Sequence, residues 1–344
     1  MQKKYKILIT QTKWDAERYF KEDSLKVLSE SGEIVFNEKE EKMTPEELAE
    51  NIQNIDAVIT GWGGCKMPPE IFEKADNLKI IGVLGGGVGS YGPELAFSKG
   101  IKICHTPKAI GRYVAEFTMG LILSLCYDLN WHNTLVRKGK NKNIPEAGGY
   151  NEKNGWMAKG LSKSTVGIIG SGSIARIMVD FLKPYMCNIL MYDPFLTDKD
   201  AELLGVRKVE LDDLLKTSEI VTVHAAWTKE TEGMISREKL SLLEDGTIFI
   251  NSARMAIVDE LALAEEIKKG RIKAGLNLIP FNKEIWFDSE LEDQKNLLVS
   301  SGYATVADKT LSDMGEMLAE DFVRFFRGEK LLHEVRKEML DKMT

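Results

Sequence analysis

The run Gly170-Ser171-Gly172-Ser173-Ile174-Ala175 has the residue types and spacing needed to bring peptide backbone against a pyrophosphate. Gly170 permits a tight turn, Gly172 leaves room for the phosphates, and Ala175 keeps the next helix close to its strand. The apolar run Val166 to Ile169 predicts a strand before the turn, and Met178 and Phe181 mark a helix after it. The N–H groups of Ser173 and Ile174 would open that helix without intrahelical partners, a natural anion seat. A second strand, Asn188 to Tyr192, ends in Asp193, whose carboxylate suits the hydroxyls of an adenosine ribose. Pro194 and Phe195 follow, with no arginine to pair a 2′-phosphate, so the pattern selects NAD over NADP. A glycine-rich turn alone occurs in many α/β proteins; strand, turn, helix, strand and acid in register make a dinucleotide site.

Positioning such a unit takes a parallel sheet covered by helices. Short apolar runs at Ile7 to Thr10, Ala57 to Thr60 and Ile80 to Val83 alternate with helical patterns at Ser24 to Glu30 and Pro45 to Ile52. A second series follows the Gly-, Asn- and Lys-rich stretch 138–159: Val166 to Gly170, Ile189 to Tyr192, Ile220 to Val223, Thr247 to Ile250, Gly275 to Ile279 and Leu297 to Ser300. Six strands make a full doubly wound sheet. The last segment, Lys309 to Met343, reads as helical and is expected to return to the first domain. Val114 to Leu129, which contains Glu116 and Asp128, reads as a buried core helix rather than a bilayer span.

At 344 residues, 43% of them apolar, the chain is expected to form two domains. A formal charge of −7 argues against nucleic acid or an anionic membrane as partner and leaves small molecules. The four cysteines, Cys65, Cys104, Cys126 and Cys187, form no CxxC pair, which fits reduced thiols in a cytoplasmic protein and no metal site. The apolar run after the basic N-terminus is too short for a signal-peptide core.

Four passages resemble the D-isomer-specific 2-hydroxyacid dehydrogenase family over most of the chain. They are the Gly-rich Leu84 to Tyr91; Thr106-Pro107 with Val114-Ala115-Glu116; Ile220 to His224 with Thr231 to Ile235; and Ile250-Asn251-Ser252-Ala253-Arg254 with Val258-Asp259-Glu260. The resemblance implies a flavodoxin-like substrate domain, residues 1–107 and 308–344, beside a Rossmann NAD-binding domain, residues 108–307. It implies that the backbone amides of Gly86, Gly87, Val88 and Gly89 hold a substrate carboxylate. His224, Ala225, Ser252, Ala253, Arg254 and Asn277 then line the cofactor. It also implies a homodimer, with Trp131, Tyr150 and Trp156 in the dimer-forming excursion. An arginine at the C-terminal end of a parallel strand can clamp a carboxylate and an adjacent oxygen in two bonds, which makes Arg254 the leading catalytic residue. The competing role for Arg254 is a structural ion pair with Asp259 or another carboxylate. Gly61-Trp62-Gly63-Gly64 is a candidate loop over the substrate, with Gly63 in the turn and Trp62 as an apolar wall; an ordinary turn is equally consistent.

The family assigns proton transfer to a histidine polarised by a glutamate, and both are replaced. Gly302 occupies the histidine's place in Val299-Ser300-Ser301-Gly302-Tyr303-Ala304-Thr305, and ungapped counting puts Asn282 in the glutamate's. Glu284, two positions on, and Tyr303 are the substitutes at hand, although side chains adjacent on an extended segment point to opposite faces. His105 reads as a hydrogen-bonded interior histidine, and His132 and His333 as solvated helix residues. The expected function is an NAD(H)-dependent oxidoreductase acting on a 2-hydroxy or 2-oxo acid. The alternatives are an NAD-using enzyme of changed, redox-neutral reaction type and a non-catalytic NAD-sensing protein.

Overall fold

The computed structural model describes residues 5–137, 158–277, 282–286, 291, 294–305 and 307–342. Its strands run β1 (Tyr5–Thr12), β2 (Gly32–Asn37), β3 (Ala57–Gly61), β4 (Ile80–Leu84), β5 (Lys102–His105), β6 (Thr165–Ile169), β7 (Asn188–Tyr192), β8 (Arg207–Lys208), β9 (Ile220–Val223), β10 (Ile248–Asn251), β11 (Lys273–Asn277), β12 (Leu297–Ser300) and β13 (Glu334–Val335). They divide between two compact units, residues 1–113 with 305–344 and residues 114–304. The division falls inside the helix Pro107–Cys126 rather than at its start, because that one element continues across the border.

The first unit holds a sheet of order β13-β5-β4-β3-β1-β2. β1 to β5 are parallel and their order, 2-1-3-4-5, is that of flavodoxin-like folds. Ile7, Leu8 and Ile9 are buried on both faces of β1, as are Val58 and Ile59 in β3, which is why these strands read as continuous apolar runs. The helix Asp308–Phe326 packs on Lys13–Tyr19, on Glu22–Ser31 and on β4.

The helical expectation for Lys309 to Met343 holds only to Phe326. Gly328, at φ +72°, turns the chain out of the helix, and β13 then pairs antiparallel with β5. The wholly buried Asp321 fixes this return by accepting the N–H groups of Leu332, at 2.7 Å, and His333, at 3.1 Å. His333 is therefore no solvated helix residue: its Nδ1 contacts the same carboxylate at 3.1 Å, and its side chain is almost wholly covered.

The second unit is a sheet of order β12-β11-β10-β9-β6-β7-β8, all parallel. Renumbered from β6 this is 7-6-5-4-1-2-3, the doubly wound Rossmann order with a short extra edge strand, and its switch point lies between β6 and β9. Residues Ala115 to Cys126 of the helix Pro107–Cys126 pack into its core with Val166, Ile168, Ala175 and Met178. That helix is long and apolar enough to cross a bilayer by length and composition, but its apolar side chains are spent on this core. Cys65, Cys104 and Cys126 are buried, Cys187 is half-buried, and none is paired.

Gly315 lies where the helix Asp308–Phe326 meets the first helix; a Cβ there would stand 1.9 Å from the Tyr19 carbonyl oxygen. Gly315→Ala should cost about 1–3 kcal/mol through this overpacking, measured by urea denaturation of the full chain.

Candidate functional site

In the second unit, the C-terminal ends of β6, β7, β9, β10, β11 and β12 share one edge of the sheet, where such folds take ligands. β6 runs into Gly170 at φ +99°, and its turn crosses the exit of β9 at backbone contact: an added Cβ would stand 2.8 Å from the Ala225 nitrogen and the His224 carbonyl carbon. Gly172 differs. An added Cβ there meets nothing within 4 Å, and φ is an ordinary −67°. The helix Ser173–Leu182 starts immediately after it without a side-chain cap, and the N–H groups of Ser173, Ile174 and Ala175 find no acceptor among the described residues. Open space before uncapped N–H donors fits a pyrophosphate.

Asp193 sits at the exit of β7, beside this turn. Its Oδ2 accepts from the Ser171 N–H at 2.7 Å and hydroxyl at 2.9 Å, and its Oδ1 accepts from the Phe195 N–H at 2.8 Å. The carboxylate thus braces the phosphate turn through Oδ2, and Oδ1, with a single donor, keeps lone-pair capacity for a ribose hydroxyl. Arg176 adds a bond from Nε to the Ser171 carbonyl at 3.0 Å. His224, at the end of β9, contacts Thr222 Oγ1 through Nε2 at 2.9 Å. Burial lowers its pKa to about 4, so the ring is neutral, and its buried Nδ1 has no partner among the described residues.

The turn after β10 is built by one buried amide. Asn251 accepts from the Ala253 N–H at 3.0 Å and donates to the Arg254 carbonyl at 3.1 Å, folding Ser252 and Ala253 back and holding Arg254 extended. The Ser252 and Thr118 hydroxyls share a 2.8 Å hydrogen bond. Arg254 makes no ion pair with a described carboxylate: Asp259 caps the helix Glu260–Lys268 through the Ala262 N–H, and the guanidinium donates only to the Ala253 carbonyl, at 2.8 Å. Partial desolvation lowers its pKa from the ordinary arginine value. A cation held without a counter-charge suits an anionic ligand.

Asn277 ends β11 inside the protein, and its Oδ1 accepts from Ser300 Oγ at 2.8 Å and the Ala304 N–H at 3.3 Å. It is a brace for the turn after β12, a role its sequence position does not reveal. In that turn Gly302 takes φ +75°, which a histidine would adopt only with strain. Tyr303–Thr305 then forms a 3-10 turn, so the alternation rule for extended chain does not govern Tyr303, whose side chain is exposed. Glu284 lies elsewhere, exposed on the short helix Lys283–Trp286 and lining a groove of about 250 Å³ with Leu261, Ala264, Glu265 and Lys268. Glu260 ties that segment down, accepting the Asn282 N–H at 3.2 Å and the Trp286 indole at 3.0 Å.

In the first unit, the switch point between β1 and β3 brings Thr10, Gln11, Trp62 and the loop after β4 together. Gly61 (φ +124°) and Gly63 (φ +76°) bend the loop, and the Trp62 carbonyl receives weak contacts from Gln11 Nε2 and the Tyr19 hydroxyl, each at 3.4 Å. The Trp62 indole lies against Gly85, where an added Cβ would stand 3.2 Å from Nε1. Beyond Gly85 the N–H groups of Gly86, Gly87, Val88 and Gly89 have no acceptor among the described residues, while the Val88 side chain is buried as an anchor. Thr10, Gln11 and Tyr19 escape sequence reasoning because their only signal is contact across some fifty residues of chain.

A family model described as D-isomer specific 2-hydroxyacid dehydrogenase, NAD binding domain, matches residues 119–301. The chain belongs to that family. D-3-phosphoglycerate dehydrogenase of Methanocaldococcus jannaschii is 32% identical over 90% of this chain and 56% of its own length. Hydroxypyruvate reductase of Thermotoga maritima is 32% identical over 72% of this chain and 79% of its own. The chain spans only about half of some curated relatives, 56% and 52% of two D-3-phosphoglycerate dehydrogenases. The crystal structure of D-mandelate dehydrogenase of Rhodotorula graminis superposes with a TM-score of 0.83 at 18% identity, covering 97% of this chain and 98% of that one. The family's cofactor is NAD, and the turn at Gly172 is open and uncapped.

The contrast between the two glycines supplies a test. Gly172→Val should leave stability within about 0.5 kcal/mol, because its side chain meets open space, yet weaken NADH binding severely. Gly170→Val should unfold the turn itself. Thermal melting and NADH fluorescence titration separate the two.

Proposed function

We propose that the chain is an NAD(H)-dependent oxidoreductase interconverting small 2-hydroxy and 2-oxo acids. The observation that carries this reading is Arg254: a guanidinium held at the ligand edge of the Rossmann sheet, on a turn built by Asn251, with no carboxylate among the described residues to neutralise it. Each unit is assigned its own part. The unpaired amides of Gly86 to Gly89 take a carboxylate, and Gly63 and Trp62 shape the neighbouring wall. Arg254 pairs with developing negative charge on the substrate oxygen. The turn from Gly170 to Ile174, Asp193, and the strand ends at His224, Ala225, Ser252, Ala253 and Asn277 hold or brace the dinucleotide side.

NADH, when bound, would supply the hydride that reduces a 2-oxo acid. A proton must reach the carbonyl oxygen, and Tyr303, on the turn where the family's histidine is replaced by Gly302, is assigned that work. Glu284 is not, since it lies along the flank of the helix Glu260–Lys268. A non-catalytic NAD-binding role is favoured by one feature, the glycine at position 302, which has no side chain to carry a proton and whose φ of +75° would strain a histidine put there. The homodimer belongs to the same reading, through Trp131 on the helix Leu129–Arg137; Tyr150 and Trp156 lie outside the described residues.

The deciding experiment follows NADH oxidation with a panel of 2-oxo acids that includes glyoxylate and hydroxypyruvate. Arg254→Gln should lower kcat/KM by about 10²–10³, and Tyr303→Phe should lower kcat by about 10²–10⁴. Proven NADH binding with no oxidation across the panel would overturn this reading and leave the redox-neutral and non-catalytic readings.

A further inference from the structure

We propose that His105 is a positioning residue that fixes the peptide plane of Gly86 and Gly87, so that the Gly87 N–H is presented to a bound carboxylate. The proposal rests on the assignment of the Gly86 to Gly89 amides as a carboxylate cradle. His105 ends β5, and its ring is buried with Nδ1 2.8 Å from the Gly86 carbonyl oxygen. A carbonyl only accepts, so Nδ1 must carry the proton and donate it. In a trans peptide the C=O of one residue and the N–H of the next point to opposite sides, so a Gly86 carbonyl held toward His105 sends the Gly87 N–H the other way. That N–H has no acceptor among the described residues, and Gly87 is exposed.

The ring could not do this if it moved. The His105 N–H donates to the His333 carbonyl at 3.2 Å, while Thr106 holds Gly85 twice, donating its N–H to the carbonyl and accepting the Gly85 N–H at Oγ1, each at 3.0 Å. His333 is itself fixed by the buried Asp321. Gly86 and Gly87 carry no side chains and would otherwise sample many peptide orientations. The histidine supplies the restraint that the glycines lack.

The test measures binding of oxamate to the full, NADH-saturated chain by calorimetry. His105→Ala should weaken oxamate by about tenfold or more with NADH affinity unchanged, and His105→Asn, whose amide places a donor near the Nδ1 position, should recover it to within about threefold. Gly87→Pro, which removes the N–H, should weaken oxamate at least as much as His105→Ala. Oxamate binding that survives His105→Ala but not Gly87→Pro overturns the positioning role and keeps the cradle. Binding indifferent to Gly87→Pro, or absent in the unmodified chain, overturns the cradle and the proposal with it. Nitrogen NMR of the His105 ring gives a readout independent of any ligand: a neutral ring protonated at Nε2 alone overturns the proposal.

Discussion

The close crossing of Gly170 over the exit of β9 sets the geometry of the whole cofactor half. Backbone meets backbone there, with His224 and Ala225 where a side chain on residue 170 would have to go. The crossing exists because β6 and β9 are neighbours across the switch point, so their chains depart in opposite directions from adjacent positions. Once that turn is fixed, Ser171 falls against Asp193, and the helix beginning at Ser173 points its unpaired N–H groups into the space above Gly172. A carboxylate just past β7 thereby serves two ends, stiffening the turn with one oxygen and holding the chain after β7 with the other.

Much of this was legible in the sequence because it is written locally. Strands buried on both faces appear as apolar runs, and the glycines at 170 and 172 carry their meaning in their spacing. What stayed hidden is of another kind. β2, β5 and β13 lie at or near the edges of their sheet and mix polar with apolar residues, so their runs are weak signals. His333 reads as a helix residue because its partner, Asp321, acts through a turn that periodicity does not register. Asn251 and Asn277 read as ordinary strand ends, although each organises the turn beyond it, one for Arg254 and one for the segment around Gly302.

The segment after β12 takes its form from its backbone. Gly302 stands at φ +75°, and Tyr303 then falls in a 3-10 turn that the sequence's apparent continuation of β12 conceals. The electrostatics of the Rossmann edge are correspondingly spare. Arg254 is the charge that the turn after β10 displays, and the neighbouring His224 stays neutral by burial. What this edge presents beside that neutral ring is the Arg254 cation and oriented backbone N–H groups.

The interruption of the first unit by the second bears on how the molecule is made. Residues 114–304 form a continuous stretch, whereas β1 to β5 wait for the helix Asp308–Phe326 and for β13. A ribosome adding about 5–20 residues per second therefore releases a finished Rossmann unit while the earlier sheet still lacks the helix that covers it and the strand that closes the β5 edge. For that interval the unpaired edge of β5 is open to other chains, and the late arrival of Asp321 and its grip on His333 is the event that ends the exposure.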